Sequence, residues 1–172
     1  MTSTTQPPEA PEHPLSTLPP RLLRQVMAGY PTGIAVVAAV VQGRVVGLSA
    51  NSFTSVSLDP PLVSISFAKT STTWPQLRTA PRWGISLLAE TGDDTLTALR
   101  RPSRTRFEGL EVTTDGQAAH LGDSLARLTV ELVDEVDAGD HVLTLLRVLE
   151  LERDEEQLPL VFFDSRTHRL AR

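Results

Sequence analysis

Small polar side chains are concentrated in the run GLSANSFTSVSLDPPLVSISFAKTSTTW, residues 47–74. Its first half offers serines and an asparagine as hydrogen-bond partners, and Gly47 and Ala50 leave room for a ligand near the backbone. Two interpretations stay open on these residues alone: a ligand-binding loop, or a polar turn between strands followed by a solvated strand face. The pair Pro60-Pro61 is expected outside any strand ladder, because proline cannot donate to one.

Four consecutive hydroxyl residues, 70–73, precede a predicted helix. Thr73 and Gln76 have the spacing of a capping box, in which each side chain bonds the other residue's backbone N–H. The free N–H groups and positive dipole end of a helix start attract anions, and hydroxyls around them would add donors. The pattern therefore indicates either a phosphate site or helix capping alone.

A basic cluster follows in a chain whose net charge is -5. Planar guanidinium groups bind phosphate in a bidentate manner, whereas arginines also favour the C-terminal end of a solvated helix. Pyrophosphate recognition and a plain helix end are both compatible with the cluster. Its members are Arg100, Arg101, Arg104 and Arg106, with Phe107 beside them.

The chain contains four histidines, and only one has a suggestive position. His141 begins a predicted strand directly after a glycine-containing turn, where a side chain can point over the mouth of a barrel. A strand-edge histidine taken alone is more often structural, and the same applies to His168. His13 falls in the N-terminal tail and His120 in a predicted loop, so neither is assigned a role. No two histidines have metal-ligand spacing, and no metal site is predicted.

Composition excludes several classes of function. The 172 residues contain no cysteine, which removes disulfide scaffolds, thiol nucleophiles and Cys-ligated metals. Any redox chemistry must therefore use a bound cofactor. Acidic residues outnumber basic ones by 21 to 16, which disfavours a nucleic-acid or anionic-membrane surface. The longest apolar run has eight residues, and no signal peptide is visible, so a cytoplasmic protein is expected.

Hydrophobic periodicity indicates a mainly β domain over residues 18–172, preceded by a disordered tail over residues 1–17. Short helices are predicted at 21–30, 74–79 and 93–101. Strands are predicted at 33–41 and 44–48 as a hairpin, around 63–67, and at 83–89, 126–136, 141–151 and 159–163. Many short strands with few helices favour an antiparallel Greek-key barrel. The GxGxxG, Walker A and GxSxG motifs are absent from the sequence.

In this order and spacing, the motifs resemble the flavin reductase-like family of FMN-binding split-barrel proteins, the reductase components of two-component flavin monooxygenases. The resemblance covers about residues 22–170. It is carried by TGIAVV at 32–37, GLSANSFTSVSLDPPLV at 47–63, STTW at 71–74, RFEG at 106–109, AGDH at 138–141 and PLVFF at 159–163. It implies a split barrel of six to seven strands with short flanking helices.

The resemblance also implies roles for individual residues. The flavin ring edge and ribityl chain would meet Ser49, Ala50, Asn51 and Ser52. The phosphate would meet Ser66, Lys69, Ser71, Thr72 and Thr73, with Arg104, Arg106 and Phe107 bordering the phosphate or adenine side. His141 would contact the nicotinamide. Ser86 and His168 are also expected to contact the cofactor. Three positions depart from the family pattern: Ser86 replaces a common Asn, Thr167 beside His168 replaces a common Tyr, and Leu146 replaces a Gly near the expected nicotinamide entry.

The implied activity is an NAD(P)H:flavin oxidoreductase, which passes hydride from NADH or NADPH to FAD or FMN and hands reduced flavin to a partner monooxygenase. The resemblance favours FAD and NADH, and it implies a homodimer whose partner chain completes part of the site. Two alternatives are a flavin-binding module without reductase activity, suggested by Leu146, and a flavin oxidoreductase that acts directly on a small molecule.

Overall fold

The computed structural model describes residues 18–171, so the predicted tail over residues 1–17 lies outside the described residues. Three helices and eleven strands follow one another along the chain. They are α1 (Pro20–Met27), β1 (Ala35–Val41), β2 (Arg44–Ala50), β3 (Thr54–Leu58), β4 (Pro61–Ala68), α2 (Trp74–Leu77), β5 (Trp83–Leu88), α3 (Asp93–Leu99), β6 (Val112–Asp115), β7 (Ala118–Leu121), β8 (Ser124–Ala138), β9 (His141–Arg153), β10 (Val161–Phe163) and β11 (Arg166–His168).

Nine of these strands form one antiparallel sheet in the order β3-β4-β9-β8-β5-β1-β7-β6, with β2 paired to β1, and β10 and β11 form a separate hairpin. The predicted antiparallel β architecture is confirmed. The expected count of six to seven strands was too low, because β3, β6, β7 and β11 are only three to five residues long. His120 was predicted in a loop, but it lies in β7, with only 8% of its surface exposed.

The predicted hairpin of β1 and β2 is confirmed by the register Val41↔Arg44. Its two turn residues, Gln42 and Gly43, have φ of 50° and 74°, the left-handed pair that a type I′ turn requires. Gly47 lies within β2, where a Cβ atom would stand 2.4 Å from the carbonyl oxygen of Val37. Close packing against β1 therefore requires this glycine, whereas the sequence had suggested ligand access.

Pro61 is the first residue of β4 and pairs with Leu58. The expectation that both prolines lie outside a ladder is wrong for this residue, because the first position of a strand tolerates proline. Pro60 lies in the turn between β3 and β4.

The core consists of two clusters. The barrel interior contains the aromatic group Phe67, Trp74 and Trp83, in which the first two rings stack with centroids 4.4 Å apart. The second cluster lies under α3 and includes Leu96 and Leu99. Within residues 18–171, no helix has the length and apolar character to cross a membrane.

Strand β4 lies between the two strands, β3 and β9, that adjoin the predicted site residues. It pairs with β3 on one side and with β9 on the other, through contacts such as Ser64 with Thr54 and Ala68 with His141. Side chains that follow β2, β4 and the β8–β9 turn are therefore brought to one end of the barrel.

Candidate functional site

The loop after β2 is attached to β4 by a pair of hydrogen bonds. The hydroxyl of Ser52 accepts from the amide of Ser66 at 3.1 Å and donates to the carbonyl of the same residue at 3.3 Å. Both residues are partly buried. Two of the predicted flavin-contacting residues are thus joined directly, and the loop has a fixed position beside the strand.

A pocket of about 640 Å³ lies between this loop and the end of α1. The hydroxyl of Thr32 is buried beside it and has no hydrogen-bond partner among the described residues. The backbone of Thr32 is occupied in a bridge with Phe162, at N–O distances of 2.9 and 2.8 Å. The lining residues are Met27, Tyr30, Pro31, Thr32, Gly33, Asn51, Ser52, Phe53 and Thr54.

A second pocket, of about 290 Å³, opens on the other side of Asn51. Its walls are mainly apolar, and the exposed Arg100 stands among them. Its lining residues are Ile34, Ser49, Ala50, Asn51, Leu96, Arg100 and Phe162. Asn51 therefore lines both pockets, and the two pockets are neighbours.

The hydroxyl segment 70–73 is organised by Ser71. Its oxygen accepts from the amides of Thr73 at 3.3 Å and Trp74 at 3.2 Å, whereas Thr73 makes no side-chain cap. The predicted capping box is wrong, because Gln76 donates to the carbonyl of Thr72 instead. Stacking of the buried Trp74 on Phe67 fixes the start of α2. The hydroxyl of Thr72 is left exposed at this end.

Arg106 connects the hydroxyl segment to β2. Its Nη1 atom donates to the carbonyl of Gly47 at 2.7 Å and to the hydroxyl of Thr73 at 3.4 Å. Its Nε atom donates to the carbonyl of Arg101 at 3.4 Å. Partial burial lowers the pKa of the Arg106 guanidinium below its ordinary value. An arginine nevertheless stays charged at neutral pH, so a cation lies between these segments.

His141 begins β9 directly after the turn, as predicted. Its Nδ1 atom lies 2.7 Å from a carboxylate oxygen of Asp140, and 43% of its side chain is exposed. The hydrogen bond with His141, reinforced by the charge of the imidazolium, lowers the pKa of Asp140 below its usual 3.8. Lys69, at the end of β4, forms an ion pair with Asp137 and donates its amide N–H to the carbonyl of Asp140. The Lys69 ammonium is thus already partnered.

Four other predicted residues are placed differently. Ser86 is 1% exposed, and its hydroxyl accepts from the amide of Leu121, so it lines neither pocket. Phe107 packs on the core cluster under α3. Arg104 is exposed in the loop after α3. His168 lies in the β10–β11 hairpin, where its ring contacts Phe163 with centroids 5.8 Å apart.

Leu146 is fully buried in the barrel interior, opposite Val63 on β4 and Leu132 on β8. The sequence had suggested that this leucine narrows the nicotinamide entry. Its side chain belongs to the core instead, and it lines neither pocket.

Sequence reasoning missed several lining residues. Thr32, Phe53 and Phe162 lie within the motifs TGIAVV, GLSANSFTSVSLDPPLV and PLVFF, but none of them was assigned a role, and Tyr30 lies outside every motif. Two further pockets, of about 310 and 200 Å³, flank Arg127 at the opposite end of the β8–β9 hairpin. They contain none of the predicted site residues.

Comparison with known proteins identifies the family. The flavin reductase like domain matches residues 27–171. A probable flavin reductase of Rhizobium meliloti (strain 1021) is 38% identical over 136 residues, which cover 77% of this chain but only 43% of that protein. The reductase subunit HsaB of a flavin-dependent monooxygenase from Rhodococcus jostii (strain RHA1) is 30% identical, over 84% of this chain and 74% of its own length.

Among solved structures, the NADH:FAD oxidoreductase SgcE6 of Streptomyces globisporus, in complex with NAD and FAD fragments, superimposes with a TM-score of 0.82 at 29% identity. The alignment covers 88% of this chain and 93% of that protein. The match to the family domain spans most of the chain, and the barrel agrees with it. This chain therefore belongs to the flavin reductase like domain family.

Proposed function

We propose that this chain is an NAD(P)H:flavin oxidoreductase that reduces FAD or FMN by hydride transfer and supplies reduced flavin to a partner monooxygenase. One observation carries the proposal: β4 holds the loop of Ser52 on one side and His141 on the other, at the same end of the barrel. Adjacent strands lie about 4.8 Å apart. Groups on the two sides of β4 are thus about two strand spacings, or about 10 Å, apart, and the flavin and the nicotinamide would bind between them.

The residues present fit a flavin. The buried hydroxyl of Thr32 has no partner among the described residues, and the pocket beside it is lined by the polar side chains of Asn51, Ser52 and Thr54. The exposed hydroxyl of Thr72 at the start of α2 can donate a hydrogen bond to an anionic group such as the flavin phosphate. When bound, the flavin supplies the two-electron acceptor that the cysteine-free chain lacks.

The chain's own residues would bind and orient the ligands. Asn51 and Ser52 would hold the ring edge and the ribityl chain. Ser71, Thr72 and Thr73 would hold the phosphate at the start of α2. His141, oriented by Asp140 at 2.7 Å, would contact the nicotinamide. Direct hydride transfer requires stacking and orientation of two rings and no protein nucleophile.

FAD is proposed as the preferred flavin. The second pocket combines apolar walls from Leu96 and Phe162 with the guanidinium of Arg100, and it adjoins Asn51. An adenine ring could lie on such walls, and an arginine could stack on it or bind the pyrophosphate. FMN has no adenylate half and would leave this pocket empty.

NADH is proposed as the reductant, with support from the named activity of the Streptomyces structure. The name of the Rhodococcus relative supports delivery of reduced flavin to a monooxygenase. The chain spans less than half of the Rhizobium relative, so the activity of that whole protein is carried over only as part of this proposal. The expected cytoplasmic location stays a prediction.

A homodimer is proposed on the exposure of α1. Leu22, Leu23, Val26 and Met27 form an apolar face and are each 45–66% exposed. Met27 also lines the larger pocket, next to the exposed Tyr30. A second copy seated on α1 would cover this face and complete the wall of the pocket.

Sedimentation equilibrium of the wild type and of Leu23→Asp tests this proposal. We expect the wild type to be a dimer and Leu23→Asp to be a monomer.

The test of function is a kinetic matrix of NADH and NADPH against riboflavin, FMN and FAD. Loss of nicotinamide absorbance is followed with and without the protein. Turnover well above the protein-free rate, highest with NADH and FAD, is the expected result. A rate equal to the protein-free rate in all six combinations would refute the proposal. Flavin binding without turnover would support the alternative of a non-catalytic module, for which the burial of Leu146 removes the original reason.

A further inference from the structure

The guanidinium of Arg106 makes its hydrogen bonds to the protein itself. Nη1 bonds the Gly47 carbonyl and the Thr73 hydroxyl, and Nε bonds the Arg101 carbonyl. These acceptors belong to three separate segments: the middle of β2, the start of α2 and the loop after α3. The sequence had suggested a direct contact between this arginine and the flavin phosphate.

The hydrogen bond from Arg106 to Gly47 matters because Gly47 lies on the strand that leads into the proposed flavin-binding loop. Gly47 precedes residues 49–52 by two positions, and β2 pairs with β1 and with no other strand of the described chain. The Arg106 bond at 2.7 Å therefore adds a tie to β2 that the ladder does not supply. The second bond ties the same Nη1 atom to Thr73, which is 3% exposed and ends the hydroxyl segment.

We propose that Arg106 is a positioning residue: it fixes the separation between residues 49–52, which meet the flavin ring, and residues 71–73, which meet its phosphate. This inference rests on the proposed function. The two N–H bonds of Nη1 lie in the guanidinium plane at a fixed angle, so this one nitrogen sets the directions of both acceptors, which a freely rotating ammonium cannot do. Arg106 thus contributes to binding of the ring as well as of the phosphate.

The test compares flavins with and without a phosphate. Flavin fluorescence titrations give the dissociation constants of riboflavin and FMN for the wild type, Arg106→Ala and Arg106→Lys. We expect Arg106→Ala to raise both constants by about tenfold, with their ratio kept within about twofold. Arg106→Lys keeps the charge without the planar guanidinium, and we expect it to leave riboflavin binding as weak as Arg106→Ala does.

Three outcomes would overturn the proposal. A loss confined to FMN would make Arg106 a phosphate ligand, and full recovery by Arg106→Lys would make it a source of charge alone. Unchanged constants with a reduced number of binding sites per chain would indicate only a loss of folded protein. If Arg106→Ala fails to fold, Thr73→Val removes one acceptor and is expected to weaken both flavins in the same direction.

Arg44→Ala is the matched control, because Arg44 is an exposed arginine on β2, the strand that Arg106 bonds, and it lines neither pocket. It changes the net charge equally and is expected to leave both constants unchanged. Failure of the wild type to bind either flavin would refute the proposed function itself, which is a different result from a change in the ratio.

Discussion

The hydroxyl of Ser52 both accepts from the Ser66 amide and donates to the Ser66 carbonyl, at 3.1 and 3.3 Å. One side chain thus mimics a strand partner for β4 at the point where the loop leaves β2. Ser66 is partly buried, so its amide cannot turn freely to water when this partner is removed.

Ser52→Ala is expected to lower the free energy of unfolding by about 1–3 kcal/mol, because it leaves a partly buried donor unpaired. Flavin affinity should fall as well, since the loop loses its attachment. Chemical denaturation and flavin titration measure the two effects. Ser55→Ala, in the exposed part of β3, is the control and should change the unfolding free energy by less than about 0.5 kcal/mol. Equal effects of the two variants would contradict this role.

His141→Ala is expected to lower kcat/KM for NADH by about tenfold while the dissociation constant of the flavin stays within about twofold, because His141 would touch only the nicotinamide. Steady-state kinetics and flavin titration provide the comparison. Asp140→Asn keeps the side-chain shape and removes the charge, and an intermediate loss is expected. Equal losses in flavin binding and nicotinamide use would show that the assigned role is wrong.

The carboxyl of Asp140 is expected to titrate below 3.8, because the hydrogen bond with His141 favours its charged form. Because the pKa of Asp140 is lower in the folded than in the unfolded protein, this contact stabilises the fold fully at pH values above the unfolded-state pKa. The contribution is lost as the pH falls through the lowered folded-state pKa. NMR titration of the side-chain carboxyl measures the midpoint. In His141→Ala the midpoint should rise towards 3.8, and an unchanged midpoint would exclude His141 as the cause.

Leu146→Ala is expected to destabilise the protein by about 2–5 kcal/mol without improving the KM for NADH, because the side chain fills the barrel core. Leu149→Ala, on the same strand and 36% exposed, is the control and should cost less than about 1 kcal/mol. Thermal or urea unfolding, together with NADH kinetics, distinguishes the two positions. A lower KM with unchanged stability would return Leu146 to the nicotinamide entry.

Much of the fold could be predicted because its signals are local. The β1–β2 hairpin is encoded by apolar runs around Gln42-Gly43, and the β8–β9 hairpin by apolar alternation around Gly139. Strand β3 was missed because its alternation covers only five residues inside a serine-rich run, and its apolar residues Val56 and Leu58 are exposed at the edge of the sheet. Short strands such as β7 are too brief for any period to appear.

The site was predictable in composition and less so in geometry. The hydroxyls at 70–73 stood out in the sequence, but Ser71 rather than Thr73 caps the helix, a choice set by backbone angles. The link from Arg106 to Gly47 spans 59 residues, and no local pattern encodes it. No sequence pattern marks the hydroxyl of Thr32, because its lack of a partner within residues 18–171 depends on the three-dimensional packing.

The position of β4 between the Ser52 loop and His141 also affects how these two parts of the site move relative to each other. When the barrel flexes, both neighbours move with the same strand, so their mutual distance varies less than the distance of either from the distant wall of the pocket. Thermal motion would therefore change how widely the cleft opens to incoming ligands more than it changes the alignment of the two rings once they are stacked.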